Sequence, residues 1–195
     1  MSNNKALVMI SGGIDSAVAL FWAKSVGLEC EGLTFIYPNQ AEPEKKAIDF
    51  ICNETRTKLY SVKHPLVKGD KGNFRDIFSP DNLLYYSIAV SLARINEKNY
   101  VVGGQNKEDL EDSQDATADF YTHFNSMLKT GYGNQVEIIQ PFIQMMKEEV
   151  VKLGLKLGVP LENTWSCQDT EPDPCITCSS CVTRYEIATN LNIKL

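Results

Sequence analysis

The feature that most constrains this chain lies near its N-terminus, where an apolar run ends in a serine–glycine–glycine turn. Residues 5–10 (KALVMI) predict a buried strand, and the helical pattern that follows opens at Asp15 and Ser16. Because glycine has no side chain, the backbone N–H groups of the turn can close on an anion, and the helix directs its positive N-terminal end to the same point. The unit therefore predicts a cradle for a di- or triphosphate. Its predicted nucleotide ligands are Ser11, Gly12, Gly13, Asp15 and Ser16.

This turn differs from two common phosphate-binding patterns. No lysine follows the glycines, as it does in GxxxxGKS or GxxxxGKT loops, and the spacing is not GxGxxG. A cradle that grips the β- and γ-phosphates of ATP leaves the α-phosphorus open to attack, so that AMP is transferred and pyrophosphate leaves. Asp15 can help to hold Mg²⁺ between phosphate oxygens. We therefore expect ATP and Mg²⁺ as cofactors.

The rest of the chain alternates short apolar runs with helical patterns. Strands are predicted at residues 31–37, 59–63, 100–102 and 136–139, and helices at 17–26, 44–56, 83–95, 116–129 and 147–157. Such alternation predicts an α/β fold with a Rossmann-like parallel sheet and helices on both faces. Residues 64–82 are predicted to form an irregular loop over one end of the sheet. We expect an ATP-binding domain over residues 1–163 and a metal-binding segment over 164–195, packed on the same domain.

Four cysteines near the C-terminus have the spacing of metal ligands: Cys167-x7-Cys175-x2-Cys178-x2-Cys181. Four thiolates satisfy tetrahedral Zn²⁺, so we predict a structural zinc site; reduced thiols and an iron–sulfur cluster are the alternatives. An all-thiolate site has no open position, so we assign it no catalytic role. The other two cysteines, Cys30 and Cys52, are predicted to be buried core residues.

Charge and hydropathy narrow the possible partners. The formal net charge is −6, which disfavours a nucleic-acid substrate. No apolar run approaches the roughly 18 residues that a membrane-spanning helix needs. The N-terminal residues lack the pattern of a signal peptide, so a cytoplasmic location is expected.

Taken alone, the SGGIDS turn resembles the loop of the PP-loop ATP pyrophosphatase superfamily. Together with TWSC-x7-CxxCxxC near the end of the chain, it resembles the 7-cyano-7-deazaguanine synthase family. That resemblance implies adenylation of the carboxylate of 7-carboxy-7-deazaguanine, displacement of AMP by ammonia to give an amide, and a second adenylation that leads to the nitrile. It also implies a homodimer. The resemblance adds these site residues: Phe35 for the nucleotide; Asn106, Glu108, Asp109 and Asp115 for the guanine-like edge of the substrate; and Lys147, with Asp15, for catalysis.

The sequence also departs from the family pattern. Residues 37–41 read Tyr-Pro-Asn-Gln-Ala where the family has Tyr-Gly-Gln-Arg-His, and Asp81-Asn82 stands where the family has Arg-Asn. These departures indicate a diverged member and leave other functions open. One is a relative from an antiviral defence system that joins the activated deazaguanine to a protein amine. The others are a tRNA-thiolating PP-loop enzyme and an inactive nucleotide-binding partner subunit.

Overall fold

A computed structural model of the chain describes residues 4–37, 40–63, 81–109, 114–133, 135–169 and 171–195. Within them, five strands form one sheet in the order β3-β2-β1-β4-β5, and every neighbouring pair is parallel. The strands are β1 (Lys5–Met9), β2 (Glu29–Ile36), β3 (Leu59–Lys63), β4 (Tyr100–Val102) and β5 (Glu137–Ile139). The predicted parallel sheet is confirmed.

Helices cover both faces of this sheet, as the α/β pattern predicts. They are α1 (Ile14–Ser25), α2 (Glu42–Glu54), α3 (Asp81–Ile95), α4 (Ala118–Tyr132), α5 (Lys147–Lys156) and α6 (Ser179–Leu191). One apolar core lies between the sheet and α1, α2, α5 and α6, and a second lies between the sheet and α3 and α4. Because β1 sends Val8 into the first core and Leu7 into the second, both residues are buried and the strand must be apolar throughout.

The strand order places a topological switch point beside β1. The chain leaves β1 toward β2 on one side, while β4 pairs with β1 on the other. Loops that follow neighbouring strands then diverge in opposite directions at their carboxyl ends, which opens a crevice where ligands bind in folds of this kind. The turn after β1, the end of β2 and the loop after β4 all reach this crevice.

The last helix, α6, is absent from our sequence-based prediction. Its buried residues are Cys181 and Ile187, too few for a recognisable apolar stripe at helical spacing. Ile187 lies in the same core as α1, and Leu191, Ile193 and Leu195 pack against that core. The C-terminal segment is therefore attached to the rest of the fold by apolar contacts.

Most predicted helices begin or end within a few residues of the observed ones. The loop predicted over residues 64–82 falls largely outside the described residues, except that Asp81 and Asn82 already belong to α3. Cys52 is buried as expected, whereas Cys30 is half-buried. Within the described part of the chain, no helix combines the length and apolar character needed to cross a membrane.

Candidate active site

The turn after β1 is closed by the first residues of α1. The Ser16 hydroxyl accepts hydrogen bonds from the Ser11 backbone N–H and hydroxyl, both at 3.2 Å, and donates to the Gly13 carbonyl at 3.0 Å. Gly12 has a φ of +80°, and a Cβ at this position would lie 2.9 Å from the Glu44 carbonyl oxygen. Only glycine satisfies both conditions, so the backbone conformation of the turn depends on this residue.

The C-terminal segment holds the same turn from the other side. The Trp165 backbone N–H donates to the Gly12 carbonyl at 2.8 Å. The residues on either side of Trp165 are bound by the Arg184 guanidinium of α6, which donates to the Thr164 and Ser166 hydroxyls at 2.9 and 3.0 Å. Hence α6, which contains Cys181 of the cysteine cluster, supports the turn after β1 through one short stretch of chain.

The two predicted catalytic residues form an ion pair. The Lys147 ammonium at the start of α5 contacts the Asp15 carboxylate in the first turn of α1, although 132 residues separate them in the chain. Their side chains are only 20% and 22% exposed, so water screens the pair less than it would a surface pair. Asn106, which is buried, donates a longer hydrogen bond to the other Asp15 oxygen at 3.5 Å.

The loop after β4 approaches the start of α1 closely. A Cβ on Gly104 would lie 2.8 Å from the Asp15 carbonyl carbon and oxygen, so glycine is required for this contact. Further along, the Asn106 side chain accepts from the Glu108 N–H and the Asp109 carboxylate accepts from the Asn106 N–H, both at 2.9 Å. The Glu108 carboxylate accepts the Lys147 backbone N–H at 2.8 Å, at the start of α5. These side chains shape the loop and fix the position of Lys147.

A cavity of about 320 Å³ opens beside this loop and the phosphate-binding turn. Of the predicted site residues, Ser11, Asp15, Ser16, Phe35 and Asp109 line it. The remaining ones, which do not line it, are Gly12, Gly13, Asn106, Glu108, Asp115 and Lys147. The Phe35 and Tyr85 rings pack with their centroids 4.6 Å apart and form part of the wall. The cavity thus has the glycine turn at one end and an aromatic wall.

Asp115 lies behind the cavity wall. It is 4% exposed, and its carboxylate accepts the Leu83 backbone N–H at 3.2 Å in the first turn of α3. The N-terminal N–H groups of a helix lack intrahelical acceptors, and a carboxylate satisfies one of them. The same carboxylate accepts from the Asn82 side-chain amide at 3.5 Å.

Several cavity residues are not among the predicted site residues: Thr34, Tyr37, Glu44, Asn82, Tyr85, Tyr86 and Gln105. The Tyr37 hydroxyl donates to the Glu44 carboxylate at 2.5 Å, and the Gln40 amide donates to its other oxygen at 2.6 Å. Burial, followed by the Glu44 charge, raises the pKa of Tyr37, so this phenol stays protonated and acts as a donor. These residues could be found from the fold, because they lie in or just after β2, in the loop after β4, and on α2 and α3.

The four predicted metal ligands converge at one point. The Cys167, Cys175, Cys178 and Cys181 sulfurs all lie within 4.8 Å of one another. A tetrahedral site with metal–sulfur bonds of about 2.3 Å needs sulfurs roughly 3.8 Å apart, so a small adjustment completes it. The arrangement can hold a metal ion.

Backbone amides around these cysteines favour thiolates. The Cys175 N–H donates to the Cys167 sulfur at 3.3 Å, and the Cys178 N–H donates to the Cys175 sulfur at 3.3 Å. Backbone hydrogen bonds from Thr177 and Cys178 lower the pKa of Cys175 to about 6, whereas burial raises the pKa of Cys181 to about 12. A cation bound by all four sulfurs would favour deprotonation of the whole set.

Together, the parallel sheet, the glycine turn closed by Ser16 and the Asp15–Lys147 pair define a PP-loop type of ATP-binding fold. The sequence matches the family described as queuosine biosynthesis protein QueC over residues 5–73 and 67–191. The chain belongs to this family.

Relatives in the same family carry a consistent name. The chain is 30% identical to the 7-cyano-7-deazaguanine synthase of a Nitratiruptor species, in a match that covers 93% of this chain and 92% of that protein. It is 31% identical to the 7-cyano-7-deazaguanine synthase of Campylobacter jejuni subsp. jejuni, with the same coverage of both chains. The similarity therefore runs along almost the whole of each protein.

Solved structures with the same fold are more distant in sequence. The U34-tRNA thiolase NcsA from Methanococcus maripaludis aligns with a TM-score of 0.56 at 13% identity, covering 97% of this chain and 68% of that chain. NMN synthetase from Francisella tularensis aligns with a TM-score of 0.54 at 15% identity, covering 100% of this chain and 79% of that chain. At these identities the likeness shows the shared fold alone, and tRNA thiolation gains no specific support from it.

Proposed function

We propose that this protein uses ATP to adenylate the carboxylate of 7-carboxy-7-deazaguanine and then directs ammonia to the activated acid, giving the amide and finally the nitrile. The names of its relatives support this reaction. The observation that carries the proposal is that the turn after β1, the Asp15 carboxylate that pairs with Lys147, and an aromatic wall meet at one cavity of about 320 Å³. ATP needs the turn and the charged groups for its phosphates, and a flat acid substrate needs the aromatic wall beside them.

The first step joins the acid to AMP. The turn and the N-terminal end of α1 hold the β- and γ-phosphates, which leaves the α-phosphorus facing the cavity. A carboxylate oxygen attacks this phosphorus, and the bond to the bridging oxygen of pyrophosphate breaks. Lys147, which pairs with Asp15 in the first turn of α1, would stabilise the negative charge that develops on the phosphate oxygens.

The later steps depend on AMP as a leaving group. Ammonia attacks the acyl carbon, AMP departs with the former carboxylate oxygen, and one proton is released to give the amide. A second ATP adenylates the amide oxygen; loss of AMP and of the two N–H protons then yields the nitrile. The cavity contributes by holding the ring and by limiting the access of water, which would otherwise hydrolyse the adenylate.

Asp15 fits the role of a magnesium ligand. Its carboxylate faces the phosphate-binding end of the cavity, where two like charges would repel each other unless a cation lay between them. Mg²⁺ would supply that charge and polarise the phosphate oxygens. In the absence of nucleotide the Lys147 ammonium neutralises Asp15.

We also propose that the four cysteines hold Zn²⁺ as a structural ion. The two-residue gaps and the converging sulfurs suit a closed tetrahedral site without an open position. Its function would be to fix the segment that leads to α6 and, through Arg184 and Trp165, the phosphate-binding turn. A homodimer and a cytoplasmic location remain proposals; sedimentation and cell fractionation test them.

Mass spectrometry of the reaction products tests the proposed function. The protein is incubated with ATP, 7-carboxy-7-deazaguanine and nitrogen-15 ammonia, and the expected product is the free nitrile carrying the label. Lys147→Met should abolish product formation. Lys152→Met is the matched control, because Lys152 lies on the same helix but forms an exposed pair with Glu148. An amide as the final product, or a base attached to protein, would replace the nitrile synthase proposal with the diverged alternative. No consumption of ATP would contradict both.

A further inference from the structure

Side-chain hydrogen bonds behind and along the cavity wall form one continuous chain with a single direction. The Gln140 amide donates to the Tyr86 hydroxyl at 2.7 Å, and this hydroxyl donates to the Gln105 carbonyl oxygen at 2.5 Å. The Gln105 amide donates to the Asn82 carbonyl oxygen at 3.3 Å, and the Asn82 amide donates to Asp115 at 3.5 Å. In every hydrogen bond of this chain, the acceptor is therefore the group nearer to the Asp115 carboxylate.

The carboxylate fixes this direction. An ionised carboxylate can only accept, so the Asn82 side chain must present its NH₂ group to Asp115 and its oxygen to Gln105. Gln105 must then present its own NH₂ group to Asn82 and its oxygen to Tyr86. Tyr86 is 1% exposed, and burial raises the pKa of its hydroxyl, which stays protonated and continues the chain. The Asp115 carboxylate at one end and the Tyr86 hydroxyl at the other thus set the orientations of both amides.

Both amides line the cavity and retain hydrogen-bonding capacity that this chain does not use. A primary amide has two N–H donors and two carbonyl lone pairs, and the chain uses one of each on Asn82 and on Gln105. Asn82 and Gln105 line the cavity next to the Phe35–Tyr85 wall. Each therefore offers a donor and an acceptor side by side, beside an apolar surface on which a flat ring can lie.

We infer that Asn82 and Gln105 bind the lactam edge of the substrate's ring, where an N–H lies next to a carbonyl, and that Asp115 is a positioning residue for them. This inference rests on the proposed function and deepens it. A lactam has one donor and one acceptor in adjacent positions, which is the complement of an amide with one of each. Asp115 lies behind the wall, is buried, and acts on the substrate through Asn82.

Binding measurements with two related bases test the inference. The probes are 7-deazaguanine, which has the lactam, and 2-amino-7-deazapurine, which lacks the carbonyl oxygen. Wild-type protein with bound ATP analogue should prefer 7-deazaguanine. Gln105→Leu removes a donor and an acceptor at nearly constant volume, so it should weaken 7-deazaguanine about tenfold and leave 2-amino-7-deazapurine nearly unchanged. Asp115→Leu should reduce the same preference, because it removes the acceptor that orients Asn82.

The preference ratio separates positioning from general damage. A purely structural role of Asp115 would weaken both bases equally, and that outcome would overturn the positioning role. Gln135→Leu is the matched control, because Gln135 is an exposed amide bonded to Arg94 on the surface. If the wild type forms the nitrile but Gln105→Leu keeps the full preference, this inference fails alone. If the wild type neither consumes ATP nor binds either base, the proposed function fails.

Discussion

Arg184 offers a sharp test of the link between the C-terminal helix and the phosphate-binding turn. Its guanidinium is half-buried and donates to Thr164, Ser166 and the Leu161 carbonyl at 2.9, 3.0 and 3.2 Å. Burial lowers the pKa of Arg184, and the neighbouring Cys181 opposes this effect. The substitution Arg184→Gln removes the charge and most of the hydrogen bonds while keeping a polar side chain.

The expected loss follows from these contacts. A hydrogen bond to a charged group contributes about 1.5–3 kcal/mol, and water can replace part of the interaction at a half-buried position. We therefore expect Arg184→Gln to lower the free energy of unfolding by about 3 kcal/mol, or Tm by about 6–12 °C for a chain of this size. Loss of these hydrogen bonds releases Thr164 and Ser166, and Trp165 between them holds the Gly12 carbonyl. The turn after β1 should then bind ATP more weakly, so KM for ATP should rise more than kcat falls. Arg184→Lys should give an intermediate result, since one ammonium cannot reproduce the planar fork.

Urea and thermal unfolding, combined with steady-state kinetics at varied ATP, measure both effects. Arg94→Gln is the matched control. Arg94 is exposed, with its guanidinium over the Tyr132 ring at 4.8 Å from the centroid, so its loss should cost less than about 1 kcal/mol. The reasoning is refuted if Arg184→Gln is as stable as Arg94→Gln and has an unchanged KM for ATP.

Four single positions give further predictions. Gly104→Ala places a Cβ 2.8 Å from the Asp15 backbone and should reduce AMP formation by about 100-fold. Gly131 lies in α4, where an added Cβ would meet nothing within 4 Å, so Gly131→Ala should instead add about 0.5–1 kcal/mol to the free energy of unfolding in urea. Equal AMP formation by the Gly104→Ala and Gly131→Ala variants would contradict the prediction for Gly104. Ile176→Gly relieves a β-branched residue at φ +55° and should stabilise the metal-free protein by about 1 kcal/mol in thermal unfolding. After chelation, alkylation of Cys175, followed by peptide mass spectrometry, should be nearly independent of pH from 7 to 9, because its pKa of about 6 already makes it a thiolate. A rate that rises by about 25-fold between pH 7 and pH 9 would indicate an ordinary thiol with a pKa of about 8.5.

Local pattern was enough to predict the fold. The apolar strands, the turn after β1 and the alternation with helices all act over a few residues, and the structure confirms the resulting sheet. The α6 helix was missed because most of its residues are polar or exposed and only Cys181 and Ile187 are buried. Its position depends on the cysteine cluster and on contacts with a core formed elsewhere in the chain.

The site could be predicted only in part, because much of it consists of contacts between distant residues. Asp15 and Lys147 were predicted as separate functional residues, but their pairing requires α1 and α5 to lie side by side. Gln105 and Asn82 had no recognisable spacing, since an amide gains its role from partners such as Tyr86 and Gln140, which are 54 residues apart. The family resemblance predicted that Asp115 binds substrate, whereas its burial against α3 supports an indirect role.

Exchange of labelled pyrophosphate into ATP tests most directly whether the turn after β1 presents the α-phosphorus to a carboxylate. We predict that label enters ATP only when 7-carboxy-7-deazaguanine is present, and that Ser16→Ala and Lys147→Met each greatly reduce the exchange. Exchange that proceeds without any acid, or that Ser16→Ala and Lys147→Met leave unchanged, would contradict the account.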